Sequence, residues 1–128
     1  MLVFLQGEPM SIITILLNSL VALEFFYIMY LETFSTPSAT TAKVFNLSQE
    51  ELKRDSVTVL FKNQGVYNGL IAVGLLYATF MANASLEISR LILIYIVLVA
   101  LYGSLTSNKK IILTQGGLAI LALVSTFF

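Results

Sequence analysis

The sequence contains no cysteine and no histidine. It therefore cannot form disulfides, it has no thiolate or imidazole catalytic group, and it lacks the common ligands of zinc, haem and iron–sulfur clusters. We expect no metal and no cofactor. Any chemistry must use carboxyl, amide, hydroxyl or amine groups.

Charged side chains are also scarce, at 11% of the 128 residues, whereas 58% are hydrophobic and the mean hydropathy is +0.91. A soluble domain usually has about a quarter of its residues charged, and so short a chain has a large surface relative to its core. Seven basic and seven acidic residues give zero net charge, without the basic excess that favours nucleic-acid binding. The composition predicts an integral membrane protein whose partner is lipid and not nucleic acid.

Four apolar stretches are long enough to be transmembrane helices, because crossing a hydrocarbon core of about 30 Å takes about 20 helical residues. Helices are required, since a lone strand or loop would leave its backbone amides unpaired in lipid. The predicted fold is an all-α membrane protein, a single four-helix transmembrane bundle with spans at about 11–34, 62–81, 88–106 and 111–128.

The segments outside these spans are short, with one exception. Residues 1–9 interrupt the apolar pattern and precede the first predicted span, either as a short interfacial lead-in or as residues that are not native. Residues 35–61 form the one long connection, and Ser48 followed three residues later by Glu51 matches a capping box. This pattern predicts a polar helical turn from residue 49, ahead of the second span.

Basic residues are distributed unevenly between the two sides of the predicted bundle. Because Lys and Arg near helix ends stay cytoplasmic, the side with more of them faces the cytoplasm. We therefore predict a multi-pass protein of the cell membrane with both termini outside. Arg90 alone lies on the outer side, and the cytoplasmic set is Lys43, Lys53, Arg54, Lys62, Lys109 and Lys110.

Amide, carboxyl and tyrosine side chains within the spans are the candidate functional residues, because a polar group in lipid is costly without a partner or a function. In the predicted topology they converge on the cytoplasmic half of the bundle. We predict a polar pocket there that binds a small molecule, lined by Glu24, Tyr27, Glu32, Asn63, Gln64, Tyr67, Asn68, Tyr102 and Gln115.

Glu24 stands out in this set because it lies past the membrane midplane along the first span. Its ionised form would carry a large desolvation penalty, so we expect it to be protonated or hydrogen-bonded. It is interpreted either as a proton-coupling or ligand-binding carboxyl, or as a packing group bonded to amides of a neighbouring helix. For Glu32, near the inner mouth and within reach of water, the structural interpretation is favoured.

Small residues indicate where helices approach closely. Gly65 and Gly69 in the second span, and the Gly116-Gly117 pair in the fourth, predict that these two helices pack tightly together. Asn63-Gln64-Gly65 and Thr114-Gln115-Gly116 also open these helices on the same side. A duplication of two parallel helix pairs is therefore an alternative description of the bundle.

Several segments of the sequence belong together as a pattern: ALE at 22–24, YIMYLE at 27–32, Phe34, the distinctive NQGVYNG at 63–69, Tyr102-Gly103 and QGG at 115–117. Together they resemble domain-of-unknown-function family 1304, whose members are small integral membrane proteins of about this length in bacteria and some fungi. The resemblance covers about residues 11–123 and implies four membrane helices without an established activity. Phe25 and Leu118 stand where many members carry His and Pro, which argues against a mechanism that needs that histidine.

Three functions follow as hypotheses. The first is binding or transport of a small solute or lipid headgroup, for which four short helices would need a homodimer to enclose a path. The second is a membrane-embedded enzyme, an isomerase or lipid-modifying enzyme, with Glu24 and Glu32 as an acid–base pair. The third is a structural or accessory subunit, in which every polar residue serves packing.

Overall fold

The computed structural model describes residues 9–107 and 110–128 of the chain. Within these residues every regular element is a helix, which confirms the prediction of an all-helical fold. Residues 1–8 of the leading segment, and Lys109 of the charge count, lie outside the described residues. The helices are α1 Ile12–Met29, continued by a π-helical turn Tyr30–Phe34, then α2 Ala39–Phe45, α3 Gln49–Leu52, α4 Asp55–Phe80, α5 Ser85–Thr106, α6 Ile111–Thr114 and α7 Gly117–Ser125.

Two of these helices are long and apolar enough to cross a membrane, judged by length and composition: the 23 residues Ile12–Phe34 and the 22 residues Ser85–Thr106. At about 1.5 Å per residue each rises roughly 33–35 Å, against about 30 Å for a hydrocarbon core. Both lengths agree with the predicted association of the chain with membranes.

Helix boundaries follow recognisable end signals. The Ser11 hydroxyl accepts a hydrogen bond from the backbone N–H of Thr14 (3.2 Å) at the start of α1. Ser48 caps α3 in the same way by accepting from the N–H of Glu51 (3.1 Å). The carboxylate of Glu51 pairs with Arg54 at 3.2 Å. Asn46 ends α2 in the left-handed conformation (φ 56°), which asparagine tolerates better than most residues.

Two predicted spans differ in extent from the helices of the structure. α4 begins at Asp55, seven residues before the predicted span at 62–81. These seven residues add about two helical turns ahead of that span. The Thr58 hydroxyl of α4 donates to the carbonyl of Leu52 (2.6 Å) and joins the helix to α3. The last apolar stretch is divided into α6 and α7 by a turn at Gln115 and Gly116, where adjacent glycines weaken the helix.

The chain divides into two compact units, the first drawing on Met1–Leu23 and Val73–Phe128 and the second on Glu24–Ala72. The first unit contains parts of α1 and α4 with α5, α6 and α7. Its core is built from fully buried apolar side chains, many of them small, which allows the helices to approach one another. These side chains are Val21, Leu75, Ala78, Leu93, Ala119 and Ala122.

The second unit contains the end of α1 with its π-helical turn, α2, α3 and the first part of α4. Leu31 and Leu52 are fully buried in it, and the rings of Phe45 and Phe61 meet edge to face with centroids 5.3 Å apart. The buried Thr41 hydroxyl lies within hydrogen-bonding distance of two backbone carbonyls at the end of α1. These contacts hold the connection against the π-helical turn, where a buried carboxyl lies.

Candidate functional site

Glu32 is the fully buried carboxyl of the second unit, with no exposed surface. It lies in the π-helical turn, where the N–H of Ser35 donates to the carbonyl of Tyr30 (3.0 Å), five residues back. The Thr36 hydroxyl donates to the backbone carbonyl of Glu32 (2.6 Å). Such single π turns occur frequently at functional sites, because they change the direction in which a side chain leaves the helix.

Two amide side chains of α4 hold the Glu32 carboxyl. Gln64 Nε2 donates to Glu32 Oε2 at 2.7 Å, and Asn68 Nδ2 donates to Glu32 Oε1 at 2.5 Å. Because Gln64 and Asn68 are four residues apart, they lie one above the other on a single face of the helix. Each carboxyl oxygen therefore accepts one amide N–H, which is what a buried carboxyl requires. We call Glu32, Gln64 and Asn68 the amide–carboxyl cluster.

Two glycines of α4 allow this close approach. A Cβ placed on Gly65 would lie 1.9 Å from Thr33 Oγ1 and 3.1 Å from the Cβ of Glu32, and one on Gly69 would lie 2.3 Å from the sulfur of Met29. The Thr33 hydroxyl donates to the carbonyl of Lys62 (3.0 Å) beside this contact. The helix packed against Gly65 and Gly69 is therefore α1. The close packing predicted between the second and fourth spans stays a prediction, because small residues reveal a close contact but not every partner in it.

The NQGVYNG segment, residues 63–69, supplies both the amides of the cluster and the glycines that α1 packs against. Its second and sixth residues, Gln64 and Asn68, bond to the carboxyl, while Gly65 and Gly69 provide the space for α1. Gln64 is exposed and Asn68 is half-buried, so the amides separate Glu32 from the surface. Of the remaining candidates in the segment, Asn63 is exposed and Tyr67 is 70% exposed.

Glu24 occupies a different environment, although it belongs to the same unit. Its side chain is half-buried, and its Oε1 is buried without a hydrogen-bond partner in the part of the chain that the structure describes. The amides of Gln64 and Asn68 bond to Glu32 and not to this carboxyl. The sequence favoured Glu24 as the carboxyl of the site. In the structure the carboxyl that accepts the amide hydrogen bonds is Glu32, eight residues later in the chain.

The candidate residues outside the NQGVYNG segment are divided between the two units. Tyr27 belongs to the second unit, where its side chain is exposed. Tyr102, near the end of α5, and Gln115, in the turn between α6 and α7, belong to the first unit. Tyr102 is exposed and Gln115 is half-buried.

A second buried polar cluster, in the first unit, was not expected from the sequence. Asn18 Nδ2 lies 3.0 Å from Thr79 Oγ1 and 3.2 Å from Ser89 Oγ, and all three residues are buried. The Asn18 Oδ1 is buried without a partner among the described residues. The sequence marks Asn18 as a candidate for a buried polar contact, because it is an amide within an apolar span. It does not mark Thr79 and Ser89, because hydroxyls in helices usually bond to the preceding turn, as Thr79 does to the carbonyl of Leu75.

Comparison with known proteins gives two matches of sequence. Residues 19–127 match a family described as "Protein of unknown function (DUF1304)". Over 119 residues the chain is 74% identical to a protein of Lactococcus lactis subsp. lactis (strain IL1403) that carries the name "Uncharacterized protein YpaA". The alignment covers 93% of this chain and 100% of that relative. No solved structure matches the chain.

Proposed function

The chain belongs to the DUF1304 family, and from this premise we propose that it is a multi-pass membrane protein that binds a small polar solute or a lipid headgroup. The binding site is the amide–carboxyl cluster. The observation that carries the proposal is the fully buried Glu32 carboxyl, whose two oxygens accept from the side chains of Gln64 and Asn68. A transporter or transporter-like module is the class of protein that this site fits best.

Four spans are proposed on the basis of length and exposed apolar surface. The helices Ile12–Phe34 and Ser85–Thr106 provide two of them. The third is α4, which is 26 residues long and rises about 39 Å. The fourth is α6 with α7, joined at a turn whose Gly116 is buried, as non-helical backbone at membrane depth must be. Leucines exposed on the long helices provide lipid-facing surface, among them Leu16, Leu23, Leu70, Leu91 and Leu98.

The amides of the cluster retain capacity for a ligand. Each primary amide has two N–H donors and one carbonyl acceptor, and Gln64 and Asn68 each direct one N–H to Glu32. A ligand with hydroxyl or amine groups can bond to the remaining donors and acceptors, while the carboxyl beneath fixes the orientation of both amides. The exposed Tyr67, adjacent to Asn68 in sequence, is available as an aromatic wall or a hydroxyl donor.

The two carboxyls have separate roles in this proposal. Glu32 orients the amides, and Glu24, whose Oε1 has no partner among the described residues, is the group available to exchange a proton. Eight helical residues separate them, which is a rise of about 12 Å. The described hydrogen bonds hold Glu32 through two amides and do not extend to Glu24 Oε1, which favours binding over acid–base catalysis by the pair.

A structural role for the cluster is the second candidate, and it is supported by the complete burial of Glu32 with both oxygens hydrogen-bonded. A ligand screen distinguishes the two. We would measure the melting temperature of the detergent-purified protein against ethanolamine, choline and glycerol, three headgroup fragments with different donors. Gln64→Ala removes a cluster amide, and Asn63→Ala is the matched control because Asn63 is the neighbouring exposed amide of the same helix.

Binding predicts a saturable rise in melting temperature with at least one fragment, retained in Asn63→Ala and lost in Gln64→Ala. A rise that persists in Gln64→Ala would place the ligand elsewhere. If no fragment raises the melting temperature of the wild-type chain while Gln64→Ala lowers it without ligand, the cluster serves packing and the binding proposal is rejected.

A further inference from the structure

A cavity of about 160 Å³ lies at one end of the first unit, where the beginnings of α1 and α5 meet the end of α7. Since a water molecule occupies about 30 Å³ in the liquid, the cavity has room for a group larger than a single water. Its polar lining includes Ser11, Thr14, Arg90, Ser125 and Thr126. None of these residues belongs to the amide–carboxyl cluster, so the cavity is a feature that the proposed function leaves unused.

Arg90 is the one basic residue among the described residues that line the cavity, and its position is fixed by three contacts. Its Nε donates to Thr126 Oγ1 at 3.1 Å, and its Nη2 donates to the carbonyl of Thr126 at 2.6 Å. The guanidinium carbon lies 4.4 Å from the centroid of the Phe127 ring, in a cation–π arrangement. Holding a guanidinium in one place lowers the entropic cost of binding a ligand to it.

The Arg90 guanidinium has more N–H donors than its contacts with Thr126 use. It carries five N–H groups, of which two are directed to Thr126 and three have no partner among the described residues. Among the residues that the structure describes, no carboxylate forms an ion pair with Arg90. A half-buried cation without an anionic partner is unfavourable, and an anion in the adjacent cavity would supply that partner.

The hydroxyls beside Arg90 are ordered by a chain of hydrogen bonds. The Ser125 hydroxyl donates its proton to the carbonyl of Ala122 (2.6 Å), so it accepts from Thr14, whose Oγ1 lies 2.8 Å away. Thr14 in turn accepts from Ser11 at 3.0 Å. Since each hydroxyl proton is committed along this chain, the hydroxyls form a polar wall, and the donors for an anion come from Arg90.

We propose that this cavity binds the phosphate group of an anionic ligand through Arg90. A guanidinium matches phosphate geometry with two parallel N–H···O bonds, and a phosphate offers enough oxygens for all three free donors. The same chemistry is presented by the headgroup of an anionic phospholipid and by inorganic phosphate. Phe127 and Phe128 at the rim are exposed, which provides an apolar surface beside the charged group.

The test measures the Arg90 Nε–Hε resonance of the wild-type chain by NMR. One arm titrates inorganic phosphate into protein in an uncharged maltoside detergent. The other compares nanodiscs of phosphatidylcholine with nanodiscs that contain increasing phosphatidylglycerol. We expect a saturable shift in at least one arm: in the first for a free phosphate ligand, in the second alone for a phospholipid headgroup. The absence of a saturable shift in both arms overturns the proposal without recourse to a variant.

Variants then assign the binding to Arg90. Arg90→Gln should weaken binding of the responding ligand about tenfold or more, as expected for loss of charge-assisted hydrogen bonds. Lys53→Gln removes the same charge from the exposed connection and should leave binding unchanged. Should Arg90→Gln fail to fold, Arg90→Lys keeps the positive charge but removes the planar guanidinium, and should also weaken binding. Equal binding by the wild-type chain and the cavity variants would overturn the assignment.

Discussion

Asn68 Nδ2 and Glu32 Oε1 lie 2.5 Å apart, an amide of α4 bonded to a carboxyl of the π-helical turn that ends α1. The pair joins two segments that are 36 residues apart in sequence. Because Glu32 is fully buried, this bond and its counterpart from Gln64 take the place of the hydration that the carboxyl loses on folding.

Removing the Asn68 amide should destabilise the chain. In Asn68→Ala, Glu32 Oε1 loses its donor, and an unsatisfied buried acceptor costs about 1–3 kcal/mol, more when charged. Asn63→Ala removes an exposed amide from the same helix and should change stability by less than about 0.5 kcal/mol. Thermal unfolding of both variants in one detergent, followed by circular dichroism, measures the difference. Equal melting temperatures would show that the Asn68 bond contributes nothing to stability.

Gly65→Ala should be more damaging than the same substitution at Gly74 in the same helix. The added Cβ would lie 1.9 Å from Thr33 Oγ1 and 3.0 Å from the Thr33 backbone nitrogen, so α1 and α4 would have to move apart. Overpacking of this kind costs typically about 1–3 kcal/mol. Separation of the helices should also weaken the hydrogen bonds to Glu32. The measurement is again the melting temperature.

Gly74→Ala is the control for that substitution, since its Cβ would lie at an ordinary 3.6 Å from Ile92. Alanine is favoured over glycine inside a helix by up to about 1 kcal/mol, so this variant should be neutral or slightly stabilised. If the Gly65 and Gly74 variants melt alike, the two helices do not approach as closely at Gly65 as described.

Local patterns predicted the members of the cluster but not their pairing. Gln64 and Asn68 at a spacing of four, with glycines at the same spacing, indicated one polar and one closely packed face of a helix. The partner of each face depends on contacts between distant segments. Neither spacing nor hydropathy reveals that Gly65 contacts Thr33, or that the amides reach Glu32 and not Glu24.

The π-helical turn shows the same limit of sequence reasoning. Depth along a regular helix placed Glu32 near the inner mouth, within reach of water. The structure instead buries it completely within Tyr30–Phe34, where the hydroxyl of Thr36 bonds to its backbone carbonyl. A local change in helical winding is decided by the surrounding packing, which a count of residues per turn does not include.

The predicted orientation is open to a direct test because the chain contains no cysteine. Single cysteines at Glu50, in α3, and at Ser11, before α1, are both at exposed positions. With the connection in the cytoplasm and the termini outside, a membrane-impermeant maleimide should label Ser11→Cys in intact cells and Glu50→Cys only after the membrane is opened. The unsubstituted chain is the control for background. The reverse labelling pattern would invert the topology, and labelling of both sites in intact cells would contradict a membrane span between Ser11 and Glu50.

The last prediction compares the two carboxyls by the same isosteric substitution. In Glu32→Gln, one of the two acceptor oxygens becomes an amide N–H₂ that faces a donor, so either Gln64 or Asn68 must turn its amide over to present a carbonyl oxygen. The variant loses at least one hydrogen bond to a carboxyl, and its melting temperature should fall. In Glu24→Gln, the buried Oε1 has no hydrogen bond to lose among the described residues, so the melting temperature should stay close to that of the wild type. Since both substitutions keep the size of the side chain, a difference between them reports hydrogen bonding and not packing. If the melting temperature falls further in Glu24→Gln than in Glu32→Gln, Glu24 contributes more to the stability of the fold than Glu32 does.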